Sequence, residues 1–196
     1  MNNLTRHPLT PFIALLVMMI VLHLLSEPLK AYLEYDRVDI KQYEWWRFLT
    51  ANLVHSNTNH LLMNGAGLAV IGLLHSQYYS LRYFFIVFVV LSLSVAIGIY
   101  FFAADIRWYV GLSGVLHGLI TLGAVLDILK HERTGWLLLI GTILKVSYEQ
   151  IWGASEEVAD LIGVSVGTDA HLYGAIAGII LALVYIKFRQ SVKDEK

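Results

Sequence analysis

The side chains able to do chemistry in this chain are one serine, several histidines and a few amides, set in otherwise apolar sequence. Ser113 lies in Tyr109-Val-Gly-Leu-Ser-Gly-Val-Leu-His-Gly118, where a charged connector with Asp105 and Arg107 gives way to an apolar run. Gly114 and Gly118 are four apart, so they share one helix face and let another helix come close. A matching stripe of Ala170, Gly174 and Gly178 lies towards the C-terminal end, with His171 beside it. If the two stripes pack, Ser113 and His171 meet as a nucleophile and its general base. Small-residue stripes also serve plain helix packing, so spacing alone leaves catalysis and structure both open. His117, four after Ser113 on the same face, is either a rival base or a ring stacked against His171.

Two further constellations stand inside apolar runs, where polar side chains are costly and therefore candidates for function. His60 and Asn64 share a helix face and suit either an oxyanion-binding pair or interhelical polar contacts. His55 is five before His60, about 140° around a helix, and so points elsewhere. That spacing argues against a two-histidine metal site, which needs i, i+4. Lys145 and Glu149 are also i, i+4, with Gln150 beyond. They read as an ion pair lining a wet outward cavity, or as residues facing a substrate. No carboxylate is evident to orient His171.

The elements that must position these groups are membrane helices. The chain has 196 residues, 57% of them hydrophobic and 15% charged, with a mean hydropathy of +0.63. That is a membrane composition with room for one membrane domain. A formal net charge of -1 without a basic stripe gives no sign of nucleic-acid binding, and the absence of cysteine removes disulfides and thiolate chemistry. Apolar runs predict spans at 9–25, 49–74, 81–104, 112–129, 135–152 and about 168–186. The first reads as an uncleaved anchor, since Ser26-Glu27-Pro28 offers no small-x-small cleavage site. The expected fold is therefore an all-α bundle of six transmembrane helices over residues 9–188. A segment at 1–8 and a basic tail at 189–196 flank it.

Orientation follows from the cations. The side shared by the termini holds Arg6, Arg82, Lys130, Arg133, Lys187, Arg189, Lys193 and Lys196; the other holds Lys30, Arg37, Lys41, Arg47 and Arg107. The positive-inside rule puts both termini in the cytoplasm and the Ser113 end outward. Residues 26–48 form the longest polar connection, where Trp45, Trp46 and Arg47 suit the headgroup level of a bilayer.

Taken together, Trp46-Arg47, His55-x4-His60-x3-Asn64, Gly111-Leu-Ser113-Gly114 and Ala170-His171-x2-Gly174-x3-Gly178 resemble the rhomboid intramembrane serine proteases. The motifs fall in family order across roughly residues 44–180. The resemblance implies Ser113 as nucleophile and His171 as general base. It also implies an oxyanion hole from His60, Asn64 and the Ser113 backbone N–H. Gly111 would permit the loop ahead of the catalytic helix, Gly114 its close packing, and His55 would be mainly structural. Two departures stand out: His117 replaces the tyrosine that many rhomboids set against the histidine, and Lys145-Val-Ser-Tyr-Glu-Gln150 is generally lacking in them. Both resemble the bacterial rhombosortase branch, associated with removing C-terminal Gly-Gly sorting tails from exported proteins. The implied substrates are membrane-anchored proteins with a C-terminal transmembrane tail. The implied setting is the bacterial inner membrane, with the site opening to the periplasm and no metal or cofactor. The rival readings are a non-catalytic rhomboid-fold protein that binds transmembrane helices, and a histidine-ligated haem or metal protein. The mixed helix faces of the histidines argue against the last.

Overall fold

Several helix starts are written into single polar side chains. Asn57 accepts from the backbone N–H of His60 at 2.8 Å, Ser80 from Tyr83 at 3.3 Å and Ser155 from Val158 at 3.4 Å. Each satisfies one of the amides that a helix leaves unpaired at its N-terminus. A computed structural model describes residues 7–25 and 27–194, with only the backbone for 188–194. The predicted segment 1–8 therefore falls mostly outside the described residues, as do the side chains of the basic tail.

Helix α1 spans Thr10–His23, with Pro11 in its first turn, and buries Phe12, Leu15 and Met19. It packs on α5, Thr58–His75, where Gly72 leaves room for the Phe12 ring. Helix α6 covers Leu81–Phe102 and α7 covers Ser113–Leu129. Helix α8 runs over Arg133–Trp152, and α10 over Thr168–Asp194. The most extensive packing is α7 on α10, followed by α7 on α8. Eleven of the seventeen α7 residues are buried, so α7 is the central helix. Among the described residues, α6 and the Thr168–Lys187 part of α10 are long and apolar enough to cross a membrane. Helices α1 and α7 are apolar but shorter.

The predicted helix positions match these elements, with two displaced boundaries: the last helix runs to Asp194, eight residues past the expected 186, and the second run starts late. The second run was expected to be helical from Leu49. Instead Arg47–Thr50 forms a single turn, α4, and the chain turns through residues 51–57 before α5 begins. Asn57 decides this, because its side chain caps α5 and sets the start at Thr58. The connector before it is also folded. It holds α2 (Glu27–Leu33), strand β1 (Tyr35–Asp36) and α3 (Arg37–Ile40). Strand β1 pairs antiparallel with β2, Trp108–Tyr109, setting Tyr35 against Tyr109 just ahead of Ser113.

Two arginines hold this region together. Arg37 donates to the carbonyls of Ile99, Tyr100, Ala103 and Ile106, gathering them where α6 ends. Arg47 is only 4% exposed. It pairs with Asp39 at 3.0 Å and Glu44 at 2.6 Å, and donates to the carbonyls of Ala31 and Glu34. Trp45 and Trp46 are exposed, as bilayer-surface anchors would be, but Arg47 is a buried knot rather than a headgroup contact. The acidic connector between α8 and α10, with Glu156, Glu157 and Asp160, also holds a helix, α9 (Glu156–Ile162). Ser155 caps it, acidic residues fill its first turn, and Gly163 ends it in the left-handed conformation.

Candidate active site

The α7–α10 crossing brings backbone almost onto backbone. A β-carbon added at Gly174 would lie 1.8 Å from the Gly114 carbonyl oxygen, and one at Gly178 would lie 2.1 Å from that of Gly118. In the other direction, a β-carbon at Gly114 would meet the Ala170 carbonyl at 2.9 Å. Only hydrogen fits at Gly174 and Gly178. The two small-residue stripes thus face one another, and the side chains at their outer end are forced together.

There Ser113 Oγ and His171 Nε2 are 2.9 Å apart. On its other side, His171 Nδ1 lies 2.8 Å from Glu149 Oε2. A carboxylate only accepts, so Nδ1 carries the proton. Nε2 then presents a lone pair, and the Ser113 hydroxyl donates to it. The second carboxylate oxygen, Oε1, accepts from Lys145 Nζ at 2.6 Å. The expectation that no carboxylate orients His171 is therefore wrong. Glu149 pairs with both Lys145 and His171, and α8 supplies the group that the serine and histidine motifs lack.

His117 lies flat on His171, with ring centroids 4.1 Å apart and planes 19° apart. Its Nδ1–H donates to the Ser113 carbonyl, 2.8 Å away, one helical turn back. Ser113 Oγ is bonded to His171, so the rival-base reading of His117 gives way to the stacking one.

Ahead of Ser113, Gly111 adopts φ +112°, a conformation that favours glycine. Its backbone N–H donates to the Ala51 carbonyl at 3.0 Å, and its carbonyl accepts from Tyr109 Oη at 2.8 Å. A β-carbon there would lie 2.5 Å from His60 Nε2 and 3.4 Å from Asn64 Nδ2. Both α5 side chains thus close over the loop that delivers Ser113. Asn64 Nδ2 is buried and has no hydrogen-bond partner among the described residues. His60 is held by Ser56, whose hydroxyl proton goes to the Ile162 carbonyl at 2.7 Å. Ser56 Oγ must therefore accept from His60 Nδ1–H at 3.0 Å. Neutral His60 then shows a lone pair at Nε2, and gives a proton to a developing oxyanion only as the imidazolium.

His55 is not on α5 at all, so a helical-wheel argument does not apply to it. From the preceding turn its ring meets that of His60 edge-to-face at 5.0 Å. Burial pushes its pKa down to about 3, so it is a neutral packing ring.

A cavity of about 230 Å³ opens onto Ser113 and His60. It is bounded by Trp108 and Tyr109 on one side and by Val166, Gly167 and Asp169 on the other. Lys145, Glu149 and Gln150, expected beside a cavity, are not among the residues that bound this one. Lys145 and Gln150 sit on the exposed side of α8, whereas Glu149 is buried behind His171. Among the described residues, one group of side chains could hold a metal ion: His117, Glu149 and His171 have ligand atoms within 4.8 Å of one another. Those of Glu149 and His171 are already engaged with Lys145, Ser113 and each other, and the imidazoles are stacked rather than converging on a point.

A half-buried serine bonded to a buried histidine between small-residue helices, below an irregular loop, is the arrangement expected of an intramembrane hydrolase. The family model for the Rhomboid domain matches residues 42–188. The chain belongs to the rhomboid family, whose members are intramembrane serine proteases acting on membrane-embedded protein substrates. No curated protein matches it. Sequence reasoning missed Glu149 as the partner of His171, Ser56 behind His60, and Tyr109 Oη on Gly111. The polar pair Lys145–Glu149 inside an apolar run was the available signal for the first.

Proposed function

We propose that the chain is an intramembrane serine endopeptidase of the rhombosortase type, with Ser113 as nucleophile and His171 as general base. The observation that carries this is the 2.9 Å contact between Ser113 Oγ and His171 Nε2, enforced by the glycine crossing of α7 and α10. His171 takes the serine proton as Oγ attacks the scissile carbonyl, then delivers it to the leaving amine. Water, activated by the same imidazole, releases the acyl group. Asn64 Nδ2 and the Ser113 backbone N–H stabilise the oxyanion, with His60 beside them over the Gly111 loop. Helix α7 supports the second donor, because no side chain caps its start.

The spanning helices are α1, α5, α6, α7, α8 and α10, with both termini in the cytoplasm of a bacterial cell and Ser113 towards the periplasmic side. The cation count supports this orientation. Of the polar side chains on α5 and α8, His60, Asn64 and Glu149 face the Ser113–His171 region. The substrates are exported proteins bearing a C-terminal Gly-Gly sorting tail. A helical substrate hides its carbonyls in its own hydrogen bonds and must unwind to meet Ser113. Glycine makes unwinding easier by about 0.8–1 kcal/mol per residue relative to alanine.

The test is fluorophosphonate labelling of wild type against Ser113→Ala and His171→Ala. Wild type labels and neither variant does, with the folds intact by thermal melting. A wild type that does not label would leave the non-catalytic helix-binding reading in its place.

A further inference from the structure

Glu149 has no place in a serine–histidine dyad, yet both of its carboxylate oxygens are engaged, one of them by the catalytic histidine. It is buried on α8, whose other fully buried residues are Gly135 and Val146. One oxygen faces His171 Nδ1 at 2.8 Å and the other Lys145 Nζ at 2.6 Å. The remaining neighbours of the imidazole cannot do the same work. His117 touches it by its face, and His60 approaches from the α5 side with its Nδ1 held by Ser56. Lys145, with its side chain 51% exposed, reaches only the carboxylate.

We infer that Glu149 is a positioning residue that makes the site a Ser113–His171–Glu149 triad, with Lys145 fixing the carboxylate in place. This deepens the proposed function and rests on Ser113 being the nucleophile. With a hydrogen bond to Nδ1–H, the imidazole holds the tautomer that leaves Nε2 free to accept the serine proton. When it does so, the positive charge forms beside a carboxylate rather than in an apolar cleft. Without Glu149, nothing else among the described residues accepts from Nδ1, and the ring is free to turn over or change tautomer. Lys145 matters because an i, i+4 ammonium on the same helix anchors the far oxygen and keeps the carboxyl group ionised. The three residues thus join α7, α10 and α8 through one chain of hydrogen bonds.

The experiment follows the rate of fluorophosphonate inactivation against pH, per folded protein, for wild type and Glu149→Gln. The expected result is a rate lower by about 10²–10⁴-fold, with the pH midpoint moved down because the imidazolium has lost its counter-charge. Glu149→Asp, which keeps the charge but withdraws the carboxylate by one methylene, should fall between the two in rate. It also serves if Glu149→Gln does not fold. A wild-type rate and midpoint in either variant would overturn the triad. So would a lowered rate in Glu149→Gln with an unmoved midpoint, which is what a purely structural contact gives. If Ser113→Ala labels as wild type does, the nucleophile assignment fails instead, and the two failures stay distinct.

Discussion

Replacing Gly174 by alanine tests whether the α7–α10 crossing is what assembles the site. A β-carbon there starts 1.8 Å from the Gly114 carbonyl oxygen, whereas ordinary contact begins at 3.4 Å. The obstacle is backbone, not the end of a flexible side chain, so the helices must part by about 1.6 Å at that point. Ser113 is the neighbour of Gly114, and His171 lies one helical turn before Gly174. The separation therefore acts on the 2.9 Å Ser113–His171 contact itself and carries it beyond hydrogen-bond reach. A misplacement of about 1 Å costs roughly 10²-fold in rate, so Gly174→Ala should lower fluorophosphonate labelling by about that factor or more, per folded protein. Melting temperature should fall too, since the same parting opens the best-packed helix pair. The control is Gly141→Ala on α8, where an added β-carbon meets nothing within 4 Å. It should leave labelling unchanged and gain about 0.8–1 kcal/mol of helix propensity. Wild-type labelling in Gly174→Ala would refute the argument that backbone contact sets the catalytic distance.

Three other outcomes are expected. Asn64→Ala and His60→Ala should each lower peptide hydrolysis by about 10²–10³-fold while Ser113 still labels; unchanged rates in both would return them to polar packing. Arg37→Met should destabilise the fold by about 2–4 kcal/mol, because it removes four charge-assisted hydrogen bonds at the end of α6. Arg37→Lys should recover only part of that, and an unchanged melting temperature in Arg37→Met would remove the cap from the account. A cysteine at position 113, in this cysteine-free chain, should carry a spin label to a depth of order 10 Å below the outer bilayer boundary. The basis is that 113–126 spans roughly 21 Å of helix against a core of about 30 Å. A label level with the headgroups would rule out a recessed site.

What could be read from the sequence is what depends on short-range regularity. Apolar runs locate α1 and α6 to within about two residues, because length and hydropathy decide them. The small-residue stripes name the α7–α10 face, because only missing side chains let the two backbones come so close that a β-carbon on Gly174 would overlap the Gly114 carbonyl. Position in the chain misleads where one capping side chain outweighs a run of apolar residues. Asn57 starts α5 nine residues later than hydropathy suggests, and that shift is why His55 meets His60 from a turn.

The carboxylate behind His171 fails for a different reason. Lys145 and Glu149 satisfy a complete local explanation, an i, i+4 ion pair, and a satisfied pair invites no search for a third partner. Yet the glutamate has two oxygens, and a single ammonium on a half-exposed lysine occupies only one. A buried carboxylate with an unused oxygen is costly unless another donor reaches it. Among the described residues that donor is His171, 22 positions away on another helix, and only the third dimension brings it within 2.8 Å. Counting acceptor capacity, rather than matching charge to charge, would have marked Glu149 as incomplete. That same count shows why Lys145 alone does not account for a buried glutamate on α8.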